Sequence, residues 1–551
     1  MYTKSFAYKI SILIALLAMF LASCAAKATS HVVVEVPASA ATQAPAAEER
    51  RVEATQVVEA QKEVVVQATQ ALAPVAELPQ PTQAPIGAER PVIEPRPTPA
   101  DNFFKEYGVN PFTDTYEDHL STFALDVDTA SYTVMRRYIN DGSLPPADSV
   151  RIEEFVNYFN MNYPTPPEVA FGIYADGAPS PYHTDGAQIL RIGVQGYQVQ
   201  SWERKPAALT FVIDISGSME RENRLEMVKR ALNMLVDQLQ PDDSVGIVVY
   251  GSDARVLLNP TSGSDRDTIL SAIYSLRPEG STNAAAGIRL GYDLAMQAYK
   301  PRMTNRVILS SDGVANVGDT DAQAILDHVY GYVDEGVYLT TVGFGMGNFN
   351  DVLMEQLADK GNGNYSYVDT MEAAERIFVD QLTSTLEVIA LDAKTQVDFN
   401  PDVTAYYRLV GYENREVADT EFRNDTVDAG EIGAGHSVTA LYEIMLRPGA
   451  SGRIATVQLR WKDPQTYQVT EVNGNINTWD LSASFADTDP HYQLAVAVMG
   501  YAEILRESPW MKGISLEQVY RIAMPLSHSI PEDQDVIEFI NLVDRARRLG
   551  K

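Results

Sequence analysis

From residue 207 onward, the chain alternates short apolar runs with amphipathic segments. The runs lie at residues 208–214, 245–250, 306–310, 337–342 and 365–368. Between the first two, residues 224–239 place apolar side chains at helical spacing. Short apolar runs separated by amphipathic helices are typical of buried parallel strands with helical crossovers. The pattern therefore predicts an α/β fold with a doubly wound, mostly parallel sheet over residues 205–389.

The apolar spacing changes to period two on both sides of this unit. Such alternation occurs at residues 169–174, 189–199, 395–399, 405–410, 437–444 and 454–461. Alternating apolar and polar residues are typical of half-buried antiparallel strands, as in a β-sandwich. Because these segments flank the α/β unit, we predict that 168–204 and 390–486 form one β-rich domain with the α/β domain inserted in it.

Helical spacing returns at both ends of the folded region. Residues 132–139 and 150–159 predict a helical N-terminal flank over 101–167, and a helical C-terminal segment is expected over 487–551. The helix predicted at 491–505 is apolar on most faces. We therefore expect this helix to pack between domains rather than to face solvent.

The N-terminus has the features of an export signal. Lys4 and Lys9 precede an apolar run at residues 10–21, which is too short for a comfortable spanning helix. The sequence Leu-Ala-Ser-Cys that ends at Cys24 resembles the lipobox of bacterial lipoproteins. The resemblance implies a signal peptide over residues 1–24, cleavage before Cys24, and acylation of its thiol. We therefore expect an exported protein, lipid-anchored on the extracytoplasmic side of a cell membrane or outer membrane.

Residues 25–100 differ in composition from the rest of the chain. They are rich in Ala, Pro, Gln and Glu, and no aromatic residue occurs before Phe103 in this stretch. A segment with so few large apolar side chains cannot bury a core. The sequence therefore predicts a disordered tether between the lipid anchor and the folded region.

Charge and cysteine content exclude several classes of function. The 551 residues include 74 Asp and Glu against 43 Lys and Arg, for a formal charge of −31. This balance argues against nucleic-acid binding and against electrostatic docking on anionic lipid. The single cysteine excludes an intrachain disulfide and a cysteine-based zinc site.

Three segments of the α/β unit carry oxygen ligands at positions where strands end. Asp214, Ser216 and Ser218 follow the first strand, Thr282 precedes a predicted helix, and Asp312 follows the strand at 306–310. Ligands in such sheets bind at the carboxyl ends of the strands. A cluster of carboxylate and hydroxyl oxygens suits Mg²⁺, which takes six oxygens in a near-octahedral shell. Helix capping alone would not require all three loops.

At these residues the sequence resembles the von Willebrand factor type A (vWA) domain and its metal-ion-dependent adhesion site. The first motif matches at Asp214-x-Ser216-x-Ser218, the second-loop threonine at Thr282, and the third-loop aspartate at Asp312. The likeness extends to bacterial vWA lipoproteins with a flanking segment and a C-terminal extension, here at 125–132 and 150–158, and covers roughly 105–545. It implies that these five residues hold a divalent cation, Mg²⁺ before Mn²⁺ or Ca²⁺.

The resemblance implies a non-enzymatic binding protein whose bound cation captures an Asp or Glu of a protein partner. One alternative is an extracytoplasmic assembly scaffold in which the metal is structural. A second is a metal-dependent hydrolase, since Asp126 and Asp128 look like the DxD of haloacid-dehalogenase phosphatases, although Ala130 stands where that family has Thr or Val. The glycines at Gly343 and Gly345 follow a strand and favour a tight turn over a nucleotide site.

Overall fold

The computed structural model describes residues 102–167, 169–313, 322–333, 335–346 and 349–550. The predicted export signal, Cys24 and the predicted tether lie outside these residues. No helix in the described ranges is both long enough and apolar enough to cross a membrane.

Sixteen strands run through the described residues. They are β1 Thr113–Asp114, β2 Leu120–Ala124, β3 Phe171–Pro179, β4 Gln188–Gly196, β5 Ala207–Asp214, β6 Ser244–Tyr250, β7 Ala254–Ser262, β8 Thr304–Ser311, β9 Val337–Phe344, β10 Tyr365–Val368, β11 Val388–Phe399, β12 Thr404–Val410, β13 Gly430–Gly433, β14 Ser437–Leu446, β15 Arg453–Lys462 and β16 Val469–Asn477.

The α-helices of the described residues are numbered in the same way. They are α1 Ala130–Asn140, α2 Ile152–Asn157, α3 Arg224–Gln238, α4 Arg266–Ser275, α5 Ala284–Ala298, α6 Ala322–Val333, α7 Asp351–Lys360, α8 Met371–Glu375, α9 Leu382–Leu386, α10 Pro490–Leu505, α11 Leu516–Ala523, α12 Leu526–Ser529 and α13 Gln534–Leu549.

The α/β domain is built on a six-stranded sheet in the order β10-β9-β8-β5-β6-β7. All neighbours are parallel except β6 and β7, which are antiparallel. Every residue of β5 is buried because helices cover both faces of the sheet. Phe211 points into the core formed with α3 and α4, whereas Val212 points into the opposite core with α5 and α7. The predicted fold class is confirmed.

Two antiparallel sheets form the sandwich into which this domain is inserted. One has the order β1-β12-β14-β4-β3, and the other has the order β13-β11-β15-β16 with β2 also paired to β11. Strands from both sides of the insertion thus share the first sheet, where β4 pairs with β14. The sheets pack face to face through one apolar core, in which Phe171 and Trp461 lie edge to face at 4.9 Å between ring centroids.

The prediction of a helical flank over 101–167 is wrong for its first part. Helices α1 and α2 are present, but residues 120–124 form strand β2, which pairs antiparallel with β11 from Leu120↔Asp398 to Ala124↔Lys394. Phe123 enters the sandwich core from this strand. A five-residue edge strand is too short to show a clear period, and its pairing with a distant strand decides its conformation.

The predicted domain boundary at 389/390 does not follow the end of a helix. The chain instead forms α8, a π-helical turn at Arg376–Asp380 and α9, and strand β11 begins at Val388. The predicted boundary at 389/390 therefore lies inside a strand. Residues from Val388 are drawn into the sandwich because they pair with β13 along the sheet edge.

The C-terminal helices pack inside the protein. Most of α10 is buried, and its side chains share one core with Tyr132 of α1, Phe155 of α2 and Leu441 of β14. Helix α10 therefore joins the outer face of the first sandwich sheet to the N-terminal flank. Burial on all sides explains why its sequence is apolar on most faces.

An arginine in the loop after β12, with a side chain 10% exposed, connects three parts of the molecule. The Arg415 guanidinium donates to Asp126 Oδ2 at 3.2 Å and to Asp128 Oδ2 at 3.1 Å, both in the N-terminal flank. It also donates to Asp359 Oδ1 of α7 at 2.5 Å. The backbone N–H of Tyr365 donates to the other Asp128 oxygen at 2.7 Å. This ion network fixes the sandwich loop, the flank and the α/β domain to one another.

Candidate metal centre

The predicted oxygen ligands lie where the strand order of the α/β sheet reverses. Strand β5 is central: the chain leaves it for β6 on one side and later returns to β8 on the other. Asp214 is the last residue of β5, and Asp312 follows the last residue of β8. A crevice at such a reversal, outside the carboxyl ends of the strands, is where open α/β sheets bind ligands.

The first loop places one carboxylate and two hydroxyls together. Asp214 Oδ1 accepts a hydrogen bond from the Ser216 N–H at 2.8 Å, which turns the chain back over the strand end. The hydroxyl oxygens of Ser216 and Ser218 are 2.9 Å apart. Adjacent ligands of an octahedral Mg²⁺ with bonds of about 2.1 Å are separated by about 3 Å. The two hydroxyls therefore have the spacing of neighbouring ligands.

The second loop is tied to the first by backbone hydrogen bonds. The Gly217 N–H donates to Gly280 O at 3.0 Å, and the Glu279 N–H donates to Ile215 O at 2.5 Å. Gly280 adopts φ +75°, a conformation that favours glycine and lets the loop approach closely. These contacts hold the second loop, with its buried Thr282, beside the serines.

The third loop reaches the same carboxylate. The Ser311 hydroxyl donates to Asp214 Oδ2 at 3.0 Å, and the Gly313 N–H donates to the Ser311 hydroxyl at 3.0 Å. Asp312, between these two residues, is buried. The structure thus brings all three predicted loops to one edge of the sheet.

The electrostatics of the site favour a cation. Burial raises the pKa of Asp214 to about 7, and the nearby negative charge of Asp312 adds to the rise. Hydrogen bonds from Ser216 and Ser311 oppose it. A positive charge placed beside these carboxylates would favour the ionised form of Asp214.

The donor set therefore fits a divalent metal ion. Asp214, Ser216, Ser218, Thr282 and Asp312 would hold it, with two carboxylates and three neutral hydroxyls as available ligands. All are hard oxygens, as Mg²⁺ and Mn²⁺ prefer.

Sequence reasoning missed one member of the site, Arg224. This first residue of α3 lies buried with its Nη1 donating to Asp312 Oδ2 at 2.8 Å. A positive charge at a helix N-terminus opposes the helix dipole. That local mismatch is the one signal in the sequence that could have drawn attention to it.

The carboxylates that suggested a hydrolase do not form an open site. Asp126 and Asp128 are both buried and bound by Arg415. Asp128 also accepts from the Tyr365 backbone, so its second oxygen is engaged. These aspartates serve the ion network between domains.

A further group of acids lies in the sandwich region. Oxygens of Asp392, Asp428 and Glu431 lie within 4.8 Å of one another. Lys462 pairs with Asp392, and Lys360 pairs with Asp428 at 2.8 Å. These lysines compensate most of the cluster's charge, and we assign no metal to it.

Three family models match consecutive parts of the chain. The von Willebrand factor type A domain family matches residues 208–380, and a family described as von Willebrand factor matches residues 98–191. The family "Uncharacterized protein YfbK, C-terminal" matches residues 384–454 and 447–549. Domains of the vWA family generally mediate protein–protein interactions, often through a bound divalent metal.

Two curated relatives differ in how much of the chain they cover. "Uncharacterized protein YfbK" of Escherichia coli (strain K12) is 34% identical over 470 residues, which covers 80% of each chain. Inter-alpha-trypsin inhibitor heavy chain H3 of Homo sapiens is 28% identical over 166 residues, covering 29% of this chain and 18% of its own length. Neither name describes an enzyme.

Solved structures with a similar arrangement include a von Willebrand factor type A protein from Catenulispora acidiphila. It is 15% identical, with a TM-score of 0.41, and the match covers 69% of this chain and 91% of that one.

The identity and coverage shared with the E. coli protein, together with the vWA match over the α/β domain, settle the family. The chain belongs to the family of Uncharacterized protein YfbK, and its residues 208–380 are a von Willebrand factor type A domain.

Proposed function

We propose that this protein is an exported, lipid-anchored binding protein that captures an acidic side chain of a protein partner at its metal site. The observation that carries the proposal is the meeting of three loops around Asp214. Two carboxylates and the closely spaced hydroxyls of Ser216 and Ser218 lie at one sheet edge.

Among the described residues, the first and second loops are the exposed parts of the site. Asp214, Thr282 and Asp312 are buried, whereas Gly217 and Gly280 are exposed and Ser218 is half-buried. We expect a partner to reach the site over these two loops. The buried carboxylates stay fixed by Ser216, Ser311 and Arg224 while it approaches.

The neutral ligands determine what the site attracts. A bound divalent cation supplies a Lewis-acidic position for an outside oxygen. The serines and Thr282 bring no charge, and Arg224 offsets one of the two carboxylates. The cation's charge is therefore incompletely balanced, and a carboxylate is the oxygen ligand that gains most from it. A single strong contact of this kind then gives specificity together with the surrounding surface.

Partner capture tests this function. Purified protein immobilised in Mg²⁺ and mixed with solubilised cell envelope should retain a partner that chelator releases. D214A should retain none, because a carboxylate of the metal site is lost. As a control, D265A removes an exposed helix-capping carboxylate of α4 and should capture normally.

The alternatives predict other results. A scaffold with a structural metal would hold its partner equally well in D214A. Under our proposal, replacing one Asp or Glu of the captured partner by Asn or Gln abolishes capture. Turnover of phosphoesters that D126A eliminates would favour the hydrolase and contradict the proposal.

The lipid anchor has a separate test. Replacing Cys24 by serine should abolish incorporation of labelled palmitate, since the acylated thiol is lost. The apolar run at residues 10–21 stays attached to the uncleaved variant, so the label rather than detergent partitioning is the measurement. The S23A variant keeps the thiol and should be labelled like wild type. Unchanged labelling of C24S would contradict the lipid anchor.

A further inference from the structure

Arg224 occupies an unusual place beside the proposed metal ligands. Its Nη1 donates to Asp312 Oδ2 at 2.8 Å, and its Nη2 donates to the backbone oxygen of Met346 in the loop after β9. The side chain is 2% exposed. The guanidinium thus bridges the third metal-site loop to the neighbouring loop.

A glycine packs directly against this guanidinium. Gly345 has φ +81°, and a Cβ placed there would lie 2.1 Å from Arg224 Nε. No hydrogen-bond partner of that Nε is found among the described residues. The glycine backbone covers the guanidinium at a distance that any larger residue would prevent. Burying an arginine at a helix N-terminus, where its charge opposes the helix dipole, lowers the stability of the fold. This cost points to a role for Arg224 in the site.

The charges of the site identify that role. The buried side chains of Asp214, Asp312 and Arg224 carry one net negative charge, which a divalent cation would convert to one net positive charge. Glu222 Oε2 lies 3.9 Å from Arg224 Nη2, but this side chain is 47% exposed and water screens its charge. Without Arg224, the same ion would leave the buried cluster neutral. An anionic oxygen is attracted much more strongly to a positive cluster than to a neutral one in this poorly screened position.

We infer that Arg224 is a positioning and specificity residue that fixes Asp312 and makes the metal-loaded site positive, so that it selects a carboxylate. The inference rests on the proposed function. It implies a trade-off: Arg224 weakens cation binding by like-charge repulsion and strengthens carboxylate binding by attraction. Removing it therefore shifts the two affinities in opposite directions.

The experiment measures both affinities on the folded chain. Calorimetry gives the Mn²⁺ dissociation constant. Water-proton relaxation of the Mn²⁺-loaded protein then follows the displacement of metal-bound water by acetate, which serves as the carboxylate probe. In R224Q we expect Mn²⁺ to bind roughly tenfold more tightly and acetate roughly tenfold more weakly. R224K keeps the charge, and both constants should stay within about threefold of wild type.

A second variant covers the case in which R224Q does not fold. G345A retains the arginine but displaces its guanidinium from Asp312, so both constants should shift in the same directions as in R224Q. Its matched control is G336A: Gly336 has a similar φ of +85°, but the nearest atom to an added Cβ is 3.5 Å away. R266Q is the charge control, since Arg266 is a partly exposed cation of α4 that pairs with Asp237. Both controls should match wild type.

The outcomes distinguish a failure of the proposed function from a failure of the role inferred for Arg224. If wild type and all variants take up no Mn²⁺, the proposed function itself fails. If wild type binds Mn²⁺ but either constant of R224Q or G345A stays at the wild-type value, the role of Arg224 is overturned while the metal site stands.

Discussion

Replacing Asp214 by alanine should abolish the stabilisation that Mg²⁺ or Mn²⁺ gives to the wild-type protein. A ligand present at a hundred times its dissociation constant stabilises the native state by about 2.7 kcal/mol, provided it does not bind the unfolded chain. Without Asp214 the cluster keeps one carboxylate, which Arg224 already neutralises. Differential scanning calorimetry with and without the metal measures the effect.

The same variant should behave differently in chelator. Wild-type Asp214 is held beside Asp312 with a raised pKa of about 7, so its ionised form is disfavoured by the fold. Alanine removes the free-energy cost of burying the ionised carboxylate, and it also removes the hydrogen bonds from Ser216 and Ser311. We therefore expect D214A to melt within a few degrees of metal-free wild type. The D265A control should lose about 1 kcal/mol from its cap and keep the full metal response. A metal response preserved in D214A would contradict the site.

Replacing Arg415 by methionine should be the most destabilising single change considered. It leaves Asp126 and Asp128 buried without their positive partner. Breaking a buried ion pair by removing one member costs about 3–5 kcal/mol. Urea unfolding followed by tryptophan fluorescence and circular dichroism measures the loss.

An exposed arginine of the same sandwich provides the matched control. Arg423 pairs with Glu471 at 2.6 Å, but its side chain is 61% exposed. Exposed pairs contribute about 0.2–1 kcal/mol, so R423M should unfold close to wild type. Equal losses in the two variants would show that the ion network of Arg415 does not hold the domains together.

The sequence revealed those parts of the fold whose pattern is local. The apolar runs of β5, β6, β8 and β9 and the amphipathic stripe of α3 are readable because each is long enough to show its period. Strand β2 was not readable, because its five residues become a strand only by pairing with β11, which lies about 270 residues further along the chain. The domain boundary was predicted at 389/390 rather than before Val388 for the same reason, since pairing with β13 decides where β11 begins.

The residues of the candidate site were likewise only partly predictable from the sequence. Asp214, Ser216 and Ser218 form a short motif at a strand end, and Thr282 and Asp312 stand at equivalent loop positions. Strand order then brings these loops together. Arg224 escaped attention because its contact with Asp312 spans 88 residues and a helix-forming arginine resembles a solvent-facing one. Only the packed structure shows that it points inward beneath Gly345.

The insertion of the α/β domain sets the order in which the protein can fold. Strand β4 pairs with β14 from Gln188↔Ile444, a separation of about 250 residues, so the sandwich cannot close until the part of the chain that contains β14 is available. The α/β domain is contiguous and can fold first. Until then β4 exposes an unpaired edge to other nascent chains. Mutations that weaken the pairing of β14 should therefore cause inclusion bodies even where the melting temperature of the folded protein is unchanged.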